Sequence, residues 1–318
     1  MSALMILVNL ETKVGGVKLE HPIFNASGPK DVTREELIEI AKSDSSAVMA
    51  KSCTIEPRMG NAEPRHYDFK GGAIGSYGLP NLGYKEYKKI FPALVEFGKP
   101  IFASISGLCV EDNKKMAAEF SEMNSVAAIE LNISCPNIIG KPQVGYDFEQ
   151  SEERIQEVSA ICAAGKKPLG LKLPPYFDFA HYKTIAEIIN KNKVSFVTCI
   201  NSVGNGIVVD LEKESVVIKP NKGFGGVGGI IKPFGLANVR KFRELLRREI
   251  SIVGVGGVFS GKDAFEYILC GADAVQVGTA FMQSDTKVFG KILGELKEIM
   301  QRKGYDKLDD FKGKLKEI

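Results

Sequence analysis

The sequence predicts an α/β protein: one (β/α)8 TIM barrel with an N-terminal hairpin and long loop insertions over its C-terminal mouth, residues 1–318 forming a single domain. Three observations carry this. Eight short apolar runs recur along the chain, most followed by a polar or glycine-rich stretch and then a helical pattern. Their hydrophobicity is continuous rather than alternating, as in strands covered on both faces. Polar residues stand at the end of nearly every run, where a closed barrel keeps its active site. An open doubly wound sheet is the competitor, and eight such units favour closure.

In chain order the runs are 22–26 (PIFNA), 47–51 (AVMAK), 101–105 (IFASI), 128–133 (AIELNI), 169–173 (LGLKL), 196–201 (FVTCIN), 252–255 (IVGV) and 274–277 (AVQV). Helices are expected at 33–42, where Thr33 with Glu36 three residues on is a capping-box signature, and at 148–164, 182–190, 237–248 and 261–269. Residues 8–19 read as a hairpin around Gly15-Gly16. The stretches 53–84, rich in Gly and Pro, and 205–233, with SVVIK and then GFGGVGG, exceed ordinary connections, as functional loops or disordered segments do. The terminal KLDDFKGKLKEI alternates lysines with acids and reads as a solvated helix face.

Composition narrows the function. A net charge of +3 without a concentrated basic patch argues against nucleic acid. No apolar run is long enough to span a membrane, and the short run at 3–8 lacks the flanks of a signal peptide. Six cysteines without a CxxC pair point to reduced thiols and a cytoplasmic protein. The three histidines are too scattered for a His-built metal site.

The strand ends bring Ser27-Gly28, Lys51-Ser52, Ser104, Asn132 to Cys135, Lys172, Asn201-Ser202, Gly256-Gly257 and Gly278-Thr279 to one mouth, a lining suited to a polar heterocycle that carries a phosphate. Barrels often bind phosphate with the loops after strands seven and eight, here GVGGVFSG (254–261) and VGT (277–279). Glycine lets backbone N–H groups close around an anion, and a helix start after each loop adds a favourable dipole; singly, each loop reads as a tight turn. Asn132 and Asn137 in ELNISCPN offer both donors and acceptors to a ring. Cys135 sits in that polar loop, where a thiol of ordinary pKa near ~8.5 can serve as a base, whereas Cys162, Cys199 and Cys270 read as small buried hydrophobes. Lys172 lies in an apolar strand and needs a partner, either the pyrimidine end of a reduced flavin or a carboxylate such as Glu130. Lys51 raises the same question. The runs NSVGNG (201–206) and GSYGLPN (75–81) carry further amides and hydroxyls, though each alone could be a plain turn.

These motifs, with NASG at 25–28, AKSCT at 50–54, GNAEPR at 60–65, GLPNLG at 78–83, GKPQVGYDFE, LKLPPYFD, ESVVIKP and VQVGTA, run in one order from residue 8 to 318. The sequence resembles the dihydroorotate dehydrogenases, most closely the soluble, fumarate-dependent class 1A type. The resemblance implies FMN, a homodimer, and oxidation of dihydroorotate to orotate for pyrimidine biosynthesis, with fumarate leaving as succinate. Catalysis falls by resemblance on Cys135, as base, with Lys172. Flavin contacts fall on Ala26, Ser27, Lys51, Ser52, Asn132, Lys172, Ser202, Gly228, Gly229, Gly256, Gly257, Gly278 and Thr279. Substrate contacts fall on Lys51, Tyr77, Gly78, Leu79, Asn132, Asn137, Asn201 and Ser202, with Lys51 and the 78–79 amides on the carboxylate.

One position departs from the family. Where it has Asn-Ser-Met-Gly-Leu, this chain has Gly75-Ser76-Tyr77-Gly78-Leu79, so an asparagine that contacts the substrate carboxylate is missing. A hydrogen bond to a charged group is worth roughly 1.5–3 kcal/mol, or about one to two decades of affinity. Either the Tyr77 hydroxyl compensates or another dihydropyrimidine is admitted. An NAD-linked catalytic subunit with a separate iron–sulfur partner and a non-enzymatic phosphate-binding barrel are the remaining alternatives.

Overall fold

The computed structural model describes residues 8–135 and 143–318. The strands are β1 (Thr12–Val14), β2 (Val17–Leu19), β3 (Ile23–Asn25), β4 (Val48–Met49), β5 (His66–Phe69), β6 (Gly72–Gly75), β7 (Ile101–Ile105), β8 (Ala128–Asn132), β9 (Leu169–Leu173), β10 (Phe196–Cys199), β11 (Val203–Gly206), β12 (Val209–Asp210), β13 (Ser215–Val216), β14 (Gly225–Gly228), β15 (Ser251–Val255) and β16 (Ala274–Val277). Eight of them form one parallel sheet in the order β3-β16-β15-β10-β9-β8-β7-β4. All eight expected runs are therefore strands of a TIM barrel, with ends within a few residues of those expected.

No regular strand ladder joins β3 to β4. The seam is closed by a side chain: Asn25 Nδ2 donates to the Met49 carbonyl (2.7 Å) while Asn25 Oδ1 accepts from the Met49 N–H (2.9 Å). Below it, the Ser46 N–H donates to the Ile23 carbonyl. A primary amide carries one donor edge and one acceptor edge, so it can stand in for a peptide unit of a neighbouring strand.

Two apolar cores flank the sheet. The inner one gathers Phe24, Met49, Phe102, Ala128, Phe196, Val253 and Ala274 with Val14 and Leu19 of the β1–β2 hairpin, which plugs the barrel at the N-terminal ends of its strands. Phe196 lies so close to β9 that a Cβ on Gly170 would stand 2.1 Å from its ring, so only glycine fits there. The larger outer core packs the other strand faces against helices α1 (Arg34–Lys42), α2 (Tyr84–Leu94), α3 (Val110–Ser121), α4 (Phe148–Ala164), α5 (Phe179–Lys191), α6 (Lys232–Leu245), α7 (Gly261–Leu269), α8 (Thr279–Ser284) and α9 (Lys287–Lys303).

The Thr33–Glu36 capping box is present at α1, and α4 and α7 have the expected bounds. α5 begins earlier than expected, at Phe179, because Asp178 accepts from the Ala180 N–H as its cap. α6 begins at Lys232 because Pro233, read as loop, sits in the first turn, where its missing N–H costs nothing. The C-terminal stretch is not the expected helix. After a 3-10 turn at Leu308–Asp310 it is irregular, Phe311 being drawn into the core against Phe265 (4.3 Å between ring centroids) and Gly313 taking a φ of +70°.

Replacing Asn25 by leucine leaves the Met49 N–H and carbonyl without partners. Urea unfolding of Asn25→Leu is expected to show a loss of about 2–4 kcal/mol, and a loss under 1 kcal/mol would show that the seam is closed by packing alone.

Candidate active site

The strand tips are tied into a polar wire. Ser27 Oγ accepts from the Ser52 N–H (2.9 Å), and Ser52 Oγ lies 2.8 Å from Ser104 Oγ and accepts from Asn132 Nδ2 (3.0 Å). Asn132 Oδ1 accepts from the N–H and hydroxyl of Ser134, whose Oγ accepts from Asn201 Nδ2 (2.8 Å). Asn201 Oδ1 takes the Ser202 N–H (2.8 Å). Each amide is fixed in orientation by its neighbours, so this rim of the mouth presents a set pattern of donors and acceptors.

Two lysines enter it from below. Lys51 Nζ donates to the Gly28 carbonyl (2.7 Å), which leaves further ammonium hydrogens for a ligand. Near it Asp31 is fully buried; one oxygen accepts from the Gly28 N–H and the other has no hydrogen-bond partner. Burial raises its carboxyl to about 7, against the opposing pull of Lys51. Lys172 Nζ donates to Gln276 Oε1 (3.1 Å), and burial pushes its ammonium down while Glu130 holds it up. The alternative of a direct Lys172–Glu130 ion pair is not formed: Lys172 is turned to Gln276, and Glu130 Oε2 accepts from the Thr198 hydroxyl (2.6 Å). Lys172 instead opens into the pocket.

The glycines converge as well. Gly228, Gly229, Gly256, Gly257, Gly278 and Thr279 line the same pocket. A Cβ on Gly257 would lie 2.2 Å from the Gly229 carbonyl oxygen and one on Gly228 2.6 Å from Thr279 Oγ1, so the bare backbones form a cradle that side chains would fill. The expected dipole after the 254–261 loop is spent elsewhere: the first turn of α7 is capped by Ser260, and its Gly261 N–H donates to Glu295.

A second sheet roofs the mouth, in the order β11-β14-β6-β5. It joins the two long insertions, since β14 pairs antiparallel with β6. The 201–206 run thus becomes a roof strand rather than a plain turn. The roof brings Tyr77 and Leu79 to the pocket, Leu79 with a φ of +60°. Gly78 between them takes no part in the lining; its carbonyl accepts from Arg58 Nε. Ala26, Ser27, Lys51, Ser52, Asn132, Cys135, Lys172, Asn201 and Ser202 complete the expected lining, with Cys135 half-buried. Asn137 lies outside the described residues.

Sequence reasoning missed His66 and Met282, which also line the pocket. His66 arrives because β5 pairs with β6 and sets it opposite Gly75. Nothing short of that pairing signals it.

The family model for dihydroorotate dehydrogenase matches residues 9–300. The chain belongs to the dihydroorotate dehydrogenase family. It is 46% identical over 318 residues to dihydroorotate dehydrogenase (fumarate) of Saccharomyces cerevisiae, covering 98% of this chain and 99% of that one. It is 46% identical over 313 residues to dihydroorotate dehydrogenase A (fumarate) of Lactococcus lactis subsp. lactis, covering 97% and 100%. A probable dihydroorotate dehydrogenase A (fumarate) of Enterococcus faecalis is 46% identical over 319 residues, 98% and 100%. A dihydroorotate dehydrogenase fold implies a flavin in general, and the glycine cradle with Lys172 at the pocket fits one. Among the described residues no helix is long and apolar enough to cross a membrane.

Asp31 has a pH signature. Its folded pKa lies above the ordinary 3.8 of the unfolded chain, so the fold favours the protonated acid and stability falls as pH rises from about 4 through 7. Asp31→Asn removes that loss. Denaturation at pH 4 and pH 8 is expected to show variant and wild type nearly equal at pH 4, and the variant ahead at pH 8 by on the order of 3–4 kcal/mol. A pH-independent difference would mean the acid is ionised throughout.

Proposed function

We propose that this protein is a cytoplasmic, homodimeric, FMN-dependent dihydroorotate dehydrogenase that oxidises dihydroorotate to orotate in pyrimidine biosynthesis and uses fumarate as electron acceptor. The observation that carries this is the meeting of Cys135, the Asn132–Asn201 wire, Lys51 and Lys172 with the glycine cradle in one pocket. The names of the relatives supply substrate and acceptor.

The cradle of Gly228-Gly229, Gly256-Gly257 and Gly278-Thr279 would hold the phosphate of FMN through backbone N–H groups. Ala26, Ser27, Ser52, Asn132 and Ser202 would flank its ring, with Lys172 at the pyrimidine end. Bound FMN supplies the hydride acceptor. Lys51 and the main chain at Leu79 hold the substrate carboxylate, and Asn132, Asn137 and Asn201 read the ring edges. Cys135, as thiolate, removes the C5 proton, and the same thiol returns a proton when fumarate is reduced. Lys172 favours negative charge developing beside it. The roof excludes water from this step.

A second reading has one observation in its favour. Gly75 leaves the subsite without an amide side chain, and the Tyr77 ring stands there instead, 2.4 Å from where a Cβ on Gly75 would lie. Another dihydropyrimidine would then be the substrate.

Anaerobic bleaching of the flavin separates the two: micromolar dihydroorotate is expected to bleach the wild-type protein at a rate that rises with pH as Cys135 ionises. Cys135→Ala is expected to stay yellow and to lose at least two decades of that rate. Bleaching of the alanine variant at the wild-type rate would remove Cys135 as the base, and bleaching only by a carboxylate-free dihydropyrimidine would favour the second reading.

A further inference from the structure

His66 and Tyr77 stand side by side in the pocket wall, their rings stacked at 5.8 Å. Tyr77 Oη lies 2.6 Å from His66 Nδ1 and 3.4 Å from Met282 Sδ. Across the imidazole, Nε2 lies 3.2 Å from Asp68 Oδ2, buried and without an aligned hydrogen bond. Asp68 is 53% exposed and accepts from Gln283 Nε2 (2.8 Å). The Gln283 amide first, and His66 after it, hold that carboxyl below the usual carboxylate range. The chain Tyr77–His66–Asp68 therefore runs from the substrate subsite to solvent.

A phenol has a single hydrogen to give. With His66 neutral and its Nε2–H toward Asp68, Nδ1 is an acceptor and takes that hydrogen. Tyr77 then shows the pocket only lone pairs, which a carboxylate is repelled by. With His66 protonated, Nδ1–H donates to Tyr77 Oη and Asp68 balances the imidazolium. The phenol hydrogen is released toward the pocket, where Met282 Sδ is a weak acceptor and a carboxylate a strong one.

We propose that Tyr77, positioned by His66 and Asp68, is the specificity-determining donor to the carboxylate of this protein's substrate, and that carboxylate binding takes up a proton at His66. This rests on the dihydroorotate reading above. It gives the space beside Gly75 a phenol in place of an amide. The charged groups facing the pair are Asp68 on the same strand, with Arg65 and Glu63 acting on Tyr77 from the chain before β5; Met282 and Gln283 from the α8 side are neutral.

The test is calorimetric titration of the FMN-loaded protein with orotate between pH 5.5 and 8.5, in two buffers of different ionisation enthalpy, on wild type, Tyr77→Phe, His66→Gln and Asp31→Asn. The last separates the buried acid near Lys51, which titrates in the same window. Wild type and Asp31→Asn are expected to bind roughly tenfold tighter at pH 5.5 than at 8.5, a hydrogen bond to a charged group being worth about that much, and to take up at most about half a proton per orotate between those pH values, as linkage requires of a tenfold change. Tyr77→Phe and His66→Gln are expected to lose that slope and to bind at pH 5.5 about tenfold more weakly than wild type. Orotate that binds tightly with a flat pH profile, or equal slopes in wild type and Tyr77→Phe, overturns this inference alone. Absence of orotate binding at every pH, with bleaching by another dihydropyrimidine, overturns the substrate reading and this inference together.

Discussion

The amide of Asn25 is the closure on which the rest of the architecture depends. A parallel sheet becomes a barrel only when its first and last neighbours meet, and here β3 and β4 meet through a side chain clasped to both polar groups of Met49, above the Ser46–Ile23 backbone bond. The residues that follow the two strands, Ala26-Ser27 and Lys51-Ser52, are the first groups of the polar rim. Just above the clasp Ser27 is registered against Ser52, and the chain of contacts runs on through Asn132 and Ser134 to Asn201. Structure and site are joined at that seam.

The barrel interior changes character along its axis. At the bottom the hairpin plug, Phe102 and Phe196 make a dry apolar core. One layer up stand Glu130, Thr198, Gln276 and Lys172, all buried. Placing ionisable groups there is costly, and the mutual arrangement offsets it: Thr198 engages Glu130, Gln276 engages Lys172, and the opposite charges of Glu130 and Lys172 face one another without contact. The unshared Gln276 Nε2 and Glu130 Oε1 mark this layer as one assembled around polar function rather than for packing.

Much of this was legible beforehand. Continuous apolar runs located every barrel strand, because strands buried on both faces leave an unbroken hydrophobic trace. Capped helices were legible too, Thr33 with Glu36 above all. The missed helices α2 and α3 open on Gly83 and Cys109, neither of which caps by its side chain, and α2 contains Pro92. α9 does carry an apolar stripe, Val288, Phe289, Ile292, Leu296 and Met300, and was there to be read. The gathering of the strand-tip residues around one pocket followed from the fold class. His66 and Met282 did not, because they reach the pocket through strand pairing within an insertion and through a short helix after the last strand. The C-terminal lysines misled because charge alternation takes no account of where Phe311 packs.

The roof over the mouth is stitched from opposite halves of the chain, Ala73 to Gly75 lying against Gly226 to Gly228. During synthesis the β5–β6 hairpin emerges long before its partner strand, and β6 waits as a bare, glycine-rich edge. Such distant pairing is slow to form. β16, which pairs with β3, emerges later still, so the chamber is complete only when both distant pairings are made, and a product truncated before β14 has strand tips but no roof. A ligand touching both the strand tips and the roof thus draws its contacts from almost the whole length of the chain, from Ala26 to Met282.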